Sequence, residues 1–378
     1  MNIGINVSML NGREKITGIG YYTYQVVKNL LHIDDENYYY LFSNDDLCVD
    51  FGTKNNYEIV VLKNKSGRKL FWSVFTLGLK LKKYNLDVFW APAHYLPLIG
   101  KRKINYCVTI HDLANFKLKN ISVESSKLLS LQQFFIRKSC QLANGIIAVS
   151  EATKLDVINM FGIAPEKINV VYESGDWGEN EESQEGETAA SPYDKPYLLY
   201  VGTLQPRKNI ITIVNAYINL RKSCDSDAVL VLAGGTGWGM EETLDLIKNN
   251  PYAEDIILEG YVSDDRKRIL YQHAEAFAFP SLYEGFGLPI LEAFHYGTPV
   301  ITAKNSSLTE VGGDAALYLE DTNDAEALSA LMYQVLNMNE EERNCWIEKG
   351  KNQLAKFSWG KCAQETRAIL CSNVNDDF

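Results

Sequence analysis

Short apolar or β-branched runs recur along this chain, each followed by a turn and then by a stretch whose apolar positions repeat at helical spacing. That alternation predicts parallel sheets of the doubly wound kind. Asn2–Val7, Tyr38–Phe42, Ile59–Leu62, Asp87–Trp90, Ile104–Ile110, Gly145–Val149 and Ile168–Val171 read as strands in the first part of the chain. Tyr197–Val201, Val229–Ala233, Ile256–Leu258, Ala276–Phe279 and Thr298–Thr302 read as strands in the second. Helices are predicted over about Tyr21–Leu31 and Ile121–Leu142, with Ser150 capping another and Phe357-Ser358-Trp359 opening a last one. The periodicity fails over Glu173–Asp194, an acidic stretch rich in Ser and Gly that reads as a flexible linker. It separates a first domain, 1–172, from a second, 195–357; the final helix covers about 358–372, and Asn373–Phe378 reads as a frayed end.

The most informative stretch is Ala276–Ile301. A strand stops at Pro280, a glycine-bearing loop follows, and Pro289 and Gly297 bracket a helix at its start and end. The loop lies at the carboxyl end of a strand, where open α/β sheets bind ligands. Glu284 falls in the loop and Glu292 in what reads as the first helical turn. A carboxylate accepts paired hydrogen bonds from vicinal hydroxyls, so Glu284 suits a sugar ring and Glu292 a ribose. Gly285 and Gly287 let backbone amides approach an anion at the helix start. On spacing alone, a capped helix with two solvated acids is the favoured reading.

The literal string goes further. Glu284-Gly-Phe-Gly-Leu-Pro-Ile-Leu-Glu292-Ala, followed by Gly297-Thr-Pro-Val-Ile, resembles the donor-site signature of glycosyltransferase family 4. The resemblance implies a GT-B fold, two Rossmann-like doubly wound domains facing across a cleft, with the last helix crossing back onto the first domain. It implies retaining, metal-independent transfer of a glycosyl group from a nucleotide sugar. Phe286, Gly287, Leu288 and Glu292 are thereby assigned to the nucleotide, and Glu284 to the sugar. In Gly202-Thr-Leu-Gln-Pro-Arg207-Lys208-Asn209 the basic pair matches the one that grips the donor diphosphate. Many relatives carry arginine directly after that glycine, where this chain has Thr203. Gly234 borders the nucleotide, and Tyr261 and Val262 flank its base. His111, in Thr109-Ile-His111-Asp112-Leu113, matches the histidine that contacts the donor sugar. Gly18 and Gly20 match the loop that faces the diphosphate; by themselves they are as much a tight turn as a phosphate site, and the dinucleotide fingerprint lacks its third glycine. His94 is an acceptor-side candidate.

Composition and charge refine this picture. The 378 residues give ample sequence for two cores. The seven cysteines are scattered without metal-ligand spacing, which fits reduced thiols in a cytoplasmic chain; no metal is expected. No run reaches transmembrane length, and MNIGINVSML reads as a strand rather than a leader. Residues 1–172 carry 21 Lys+Arg against 14 Asp+Glu, the rest 16 against 34, so a basic half precedes an acidic one. Lys63, Lys65, Arg68, Lys69, Lys80, Lys82 and Lys83 share a stretch with Leu70, Trp72, Phe75, Leu77 and Leu79, and no acid interrupts them. Such a helix either packs on the sheet with its lysines in water or rests on anionic lipid. No recognised nucleic-acid motif accompanies the charge, so a nucleic-acid partner is not expected.

The string around Gly202 and that of Gly234-Gly-Thr-Gly-Trp238 resemble polysaccharide mannosyltransferases, favouring GDP-mannose, with a saccharide or lipid-linked oligosaccharide as acceptor. A UDP-sugar donor (glucose or N-acetylglucosamine) and a non-catalytic nucleotide-sugar-binding scaffold are the alternatives. A dinucleotide oxidoreductase lacks its fingerprint here, and phosphorylases are far longer.

Overall fold

The computed structural model describes residues 1–11, 16, 18–63, 69–100, 103–118, 126–175 and 190–372. Gly12, Lys65, Arg68, Ile121, the body of the acidic linker and the Asn373–Phe378 tail lie outside the described residues. The chain forms two compact units, a first built from Met1–Lys117, Glu124–Glu173 and Ser358–Phe378, and a second built mainly from Ser174–Phe357.

The first unit holds β1 (Asn2–Asn6), β2 (Tyr38–Ser43), β3 (Tyr57–Val61), β4 (Val88–Ala91), β5 (Asn105–Ile110), β6 (Gly145–Ala148) and β7 (Ile168–Val170). Their order across the sheet is β3-β2-β1-β4-β5-β6-β7, and every neighbouring pair is parallel. The second unit holds β8 (Tyr197–Val201), β9 (Val229–Ala233), β10 (Ile256–Gly260), β11 (Ala276–Phe279), β12 (Val300–Ala303) and β13 (Ala316–Leu319). Their order, β10-β9-β8-β11-β12-β13, repeats the same winding, again all parallel. Strands covered on both faces need apolar residues at every position. β4, β8, β9, β11 and β12 meet that demand and are buried throughout. Each sheet reverses its winding direction once, between β1 and β4 and between β8 and β11. At that point a crevice opens beyond the carboxyl ends of the strands.

Local chemistry sets the helix limits. The Leu288–His295 helix starts after Gly287, whose φ of 127° excludes most side chains, and Pro289 takes a position whose N–H has no helical partner. Gly297, at φ 73°, turns the chain out of it. Glu292 therefore lies in the second turn of this helix and not the first, because Leu288, one residue before the proline, already has helical geometry. Ser150 caps the Glu151–Phe161 helix by accepting from the Thr153 N–H. The Trp359–Ser372 helix packs in the first unit on the Ile19–Ile33 helix, with Trp359 edge-on to Tyr21 and Tyr22 and Arg367 paired to buried Asp34 at 2.9 Å.

Two residues read as linker are anchored. Glu173 is buried in the first unit, and Tyr193 donates its hydroxyl to Glu259 in the second. Their polar neighbourhood in sequence hid tertiary partners far along the chain.

Candidate active site

In the second unit the ends of β10, β9, β8 and β11 are consecutive neighbours, and their loops are laced together by backbone hydrogen bonds. Gly202 N–H donates to Ala233 O at 2.9 Å, Gly234 N–H to Gly260 O at 2.7 Å, and Leu282 N–H to Arg207 O at 2.9 Å. The approach at Gly234 is so close that a Cβ there would stand 1.9 Å from the Gly202 carbonyl oxygen. Glycine is the residue this crossing admits.

Arg207 and Lys208 occupy a single 3-10 turn, Pro206–Lys208, ahead of the Ile210–Ser223 helix. Asn209, in left-handed conformation at φ 60°, reverses the chain between the two. Its amide donates to Pro280 O and Thr322 O, which ties the turn to the end of β11. The cations close on Glu284: Arg207 Nη1 donates to Oε2 at 2.8 Å and Lys208 Nζ to Oε1 at 2.7 Å. Arg207 also donates to Tyr283 O at 2.8 Å, and the Lys208 ammonium sits 4.8 Å from the Phe279 ring centroid. Glu284 is only 7% exposed. Burial pushes its carboxyl up, but Lys208 and then Arg207 outweigh that and hold it below the usual carboxylate range. From below, the Glu284 N–H donates to Ser306 Oγ and the Glu284 carbonyl accepts from Ser307 Oγ. The result is a fixed carboxylate between two cations at the point where the sheet's winding reverses.

Glu292 is held separately. It accepts from Lys267 Nζ at 2.7 Å and from Tyr271 OH at 3.0 Å, both on the Asp264–His273 helix. Tyr261 is 71% exposed at the end of β10, with Val262 half-buried beside it. The Phe286 ring is buried edge-on to Phe357 at 5.7 Å, Gly287 is buried with it, and Leu288 is half-buried.

The first unit holds a second cluster, at the end of β5. His111 is 7% exposed and lies edge-on to Tyr22, with ring centroids 4.7 Å apart. Its Nδ1 is 3.0 Å from Glu173 Oε1 and its Nε2 is 2.8 Å from Pro92 O. Both neighbours are acceptors. A neutral ring donates to one of them, and only the doubly protonated ring donates to both. As the side chain stands, neither ring nitrogen is open to a sugar hydroxyl; the expected contact requires exchange of one of these bonds. The His111 N–H donates to His94 Nε2 at 3.1 Å, which leaves His94 its proton on Nδ1. Burial, then the nearby His111 charge, push the His94 pKa down to about 4, so that ring stays neutral. Asp112 caps a short turn by accepting from the Ala114 N–H. Gly18, exposed at φ 53°, and buried Gly20 open the Ile19–Ile33 helix in the same unit.

Sequence reasoning missed Glu173, Lys267 and Tyr271. The first lay in a segment dismissed as linker; the other two carry no local signature, and only the fold brings them to His111 and Glu292. Among the described residues no group of His, Cys, Asp or Glu is arranged to hold a metal ion.

Comparison with known proteins adds an independent line. Residues 16–174 match the family model described as glycosyltransferase family 4, and residues 182–353 the one described as glycosyl transferases group 1. The chain is 31% identical to O-antigen chain mannosyltransferase B of Escherichia coli over 76% of this chain and 74% of that protein. It is 25% identical to O-antigen chain mannosyltransferase RfbU of Salmonella typhimurium, over 83% of this chain and 85% of the other. Among solved structures, a glycosyltransferase from Rickettsia africae superposes with a TM-score of 0.71 at 17% identity, covering 100% of this chain and 99% of the other.

Proposed function

Since the chain belongs to glycosyltransferase family 4, and is a hexosyltransferase of GT-B fold, we propose that it moves mannose from GDP-mannose onto a saccharide or lipid-linked oligosaccharide in surface-polysaccharide assembly. The mannose donor and the polysaccharide setting are inferred from the two O-antigen mannosyltransferases it resembles. Seven free cysteines fit a reducing, cytoplasmic setting.

The observation that carries the reading is the Arg207–Lys208–Glu284 cluster at the β8 and β11 ends. Two cations beside a helix start can take the two phosphates of a nucleoside diphosphate, with the arginine fork and the lysine point charge in complementary roles. In the proposed step the acceptor oxygen bonds to the anomeric carbon on the face from which the diphosphate departs. The bond to the diphosphate oxygen breaks, that oxygen takes the acceptor's proton, and the anomeric configuration is retained. Arg207 and Lys208 stabilise the charge that builds on the leaving group, a role a divalent metal would otherwise fill. Glu284 positions the sugar. A double displacement through Glu284 is disfavoured, since both of its oxygens are held by cations that lower their nucleophilicity. His111 keeps its assignment to the donor sugar, with the Pro92 carbonyl as the partner a sugar hydroxyl replaces. Glu292 is assigned to the ribose, and Gly18, Gly20, Gly234, Tyr261, Val262, Phe286, Gly287 and Leu288 to the donor's nucleotide and phosphates.

A thermal-shift panel of GDP, UDP, ADP and their sugar conjugates in a chelating buffer tests this. Stabilisation by GDP compounds, lost in Arg207→Ala/Lys208→Ala, is the expected result. A response to UDP compounds alone overturns the mannose donor. Binding without any consumption of donor in the presence of acceptor points to a scaffold.

A further inference from the structure

The loop that carries Glu284, residues 280–286, has no regular structure of its own, so its backbone groups must find partners elsewhere. They find them in two flanking turns. On one side is the turn that ends at Asn209. The Asn209 amide donates to Pro280 O at 3.1 Å, Arg207 Nη1 donates to Tyr283 O at 2.8 Å, and the Leu282 N–H donates back to Arg207 O. On the other side are residues 305–307, which follow β12. Ser307 Oγ lies 3.0 Å from Glu284 O and within reach of Phe286 O as well. The two residues before it form a directed chain. The Glu284 N–H donates to Ser306 Oγ at 3.1 Å, the Ser306 hydroxyl donates to Asn305 Oδ1 at 3.0 Å, and the Asn305 amide donates to Ser281 O at 3.1 Å. Each bond polarises its acceptor group to donate the next, so the three stiffen one another.

The backbone is strained to achieve this. Among the described residues only two non-glycine residues have a left-handed φ, Asn209 at 60° and Ser306 at 43°. They stand one on each side of the same loop. Asparagine tolerates this conformation, whereas the serine Cβ crowds the neighbouring carbonyl. Such a turn ordinarily takes glycine, as it does at Gly239, Gly260 and Gly297 of this unit. Glycine at 306 would accept the angle but would leave the Glu284 N–H without the hydroxyl that receives it. Strained residues of this kind gather where placement matters more than stability.

We propose that Ser306 is a positioning residue for the transfer: it holds a strained backbone angle so that its hydroxyl fixes the main chain of Glu284, and with it the carboxylate that meets the donor sugar. Asn209 is its counterpart on the other side of the loop. The inference rests on the assignment of Glu284 to the sugar and holds for any donor base. Ser306 itself touches no reacting atom. Loss of its hydroxyl releases the loop at Glu284 and leaves both cations of the Arg207–Lys208 turn in the chain. The damage should therefore fall on placement of the sugar and spare the grip on the diphosphate.

Ser306→Ala and Ser306→Gly test this on the full chain. Both delete the hydroxyl, and only glycine also relieves the backbone. Donor consumption with a crude lipid-linked saccharide acceptor, nucleotide binding and melting temperature are compared with wild type. The probes are GDP-mannose and GDP, or the UDP-sugar and UDP where the wild type consumes those. In both variants kcat should fall by about tenfold to a hundredfold, with affinity for the nucleoside diphosphate unchanged. The glycine variant should melt about 2–4 °C above the alanine variant. A serine that served the fold alone would give another pattern, in which transfer follows the melting temperature and glycine restores it. Transfer by Ser306→Gly at the wild-type rate therefore overturns the proposal. So does a loss of diphosphate binding equal to the loss of transfer, or a glycine variant that melts below alanine. Wild-type turnover with both variants fully active removes only the role of Ser306; a wild type that consumes no nucleotide sugar overturns the transfer itself and that role with it.

Discussion

Glu284→Gln is the most incisive single change, because it keeps the volume of the side chain and removes only its charge. The wild-type carboxylate accepts from Arg207 and from Lys208, one oxygen each. A glutamine offers one acceptor oxygen, so one cation keeps a weakened partner and the other faces an NH2 group. Losing a charge-assisted bond costs about 1.5–3 kcal/mol when the groups are buried. The Arg207 and Lys208 side chains retain 23% and 13% exposure, so water recovers part of that, and about 2 kcal/mol remains. For a unit of this size that is a fall of roughly 4–8 °C in melting temperature at neutral pH. The pH dependence has a definite sign. The Glu284 carboxyl titrates below its ordinary range in the folded chain, so its contribution is complete above about pH 4.3 and is lost as pH falls through the lowered value. The gap between variant and wild type should therefore close only in acid. Calorimetric melts of both proteins across that range, with GDP titrations beside them, make the assay. The variant should bind GDP at least as tightly as wild type, since its cations are no longer neutralised, while transfer to acceptor collapses. An unchanged neutral melting point, or GDP binding lost together with turnover, would refute the reasoning.

Gly234→Ala should destabilise the second unit by more than about 3 kcal/mol in urea unfolding, because its Cβ would meet a backbone oxygen that cannot swing aside. Glu173→Gln keeps an acceptor beside His111 Nδ1 but removes the countercharge; kcat should fall at least tenfold with KM for donor little changed, and Glu173→Asp should restore part of it. An equal loss in the Asp variant would assign Glu173 to folding alone. His94 is neutral in the folded chain with its pKa near 4, below the ordinary 6.5, so the unfolded state takes up a proton first as the solution is acidified. Stability should decline from about pH 6.5 towards 4 by at most about 3 kcal/mol from this group, and His94→Gln should flatten that slope in urea titrations.

Much of the architecture was legible because it rests on local rules. Ala276–Phe279 is apolar at every position and becomes a strand buried on both faces, and Pro289 and Gly297 bracket the helix that follows. Other features depended on distance. Glu173 meets His111 across 62 residues, and Lys267 meets Glu292 across 25, with no periodicity to announce either pairing. The acidic surroundings of Glu173 disguised a buried hydrogen-bond partner of His111 as solvated linker. The π turn at Trp72–Thr76 was hidden for another reason: a five-residue repeat over a single turn looks like a blurred helical stripe until the packing of Trp72 and Leu77 is seen. Single-residue differences at strand ends, such as β5 starting at Asn105 rather than Ile104, follow from pairing with the neighbouring strand.

The central claim is that the Arg207–Lys208 turn holds a donor diphosphate while a hexose leaves it. Release of GDP from GDP-mannose, followed with a crude lipid-linked saccharide acceptor in a chelating buffer, tests this most directly. The account predicts steady turnover by the wild type and a loss of at least a hundredfold in Arg207→Ala/Lys208→Ala, with the fold intact by circular dichroism. Turnover that survives the double substitution would contradict it.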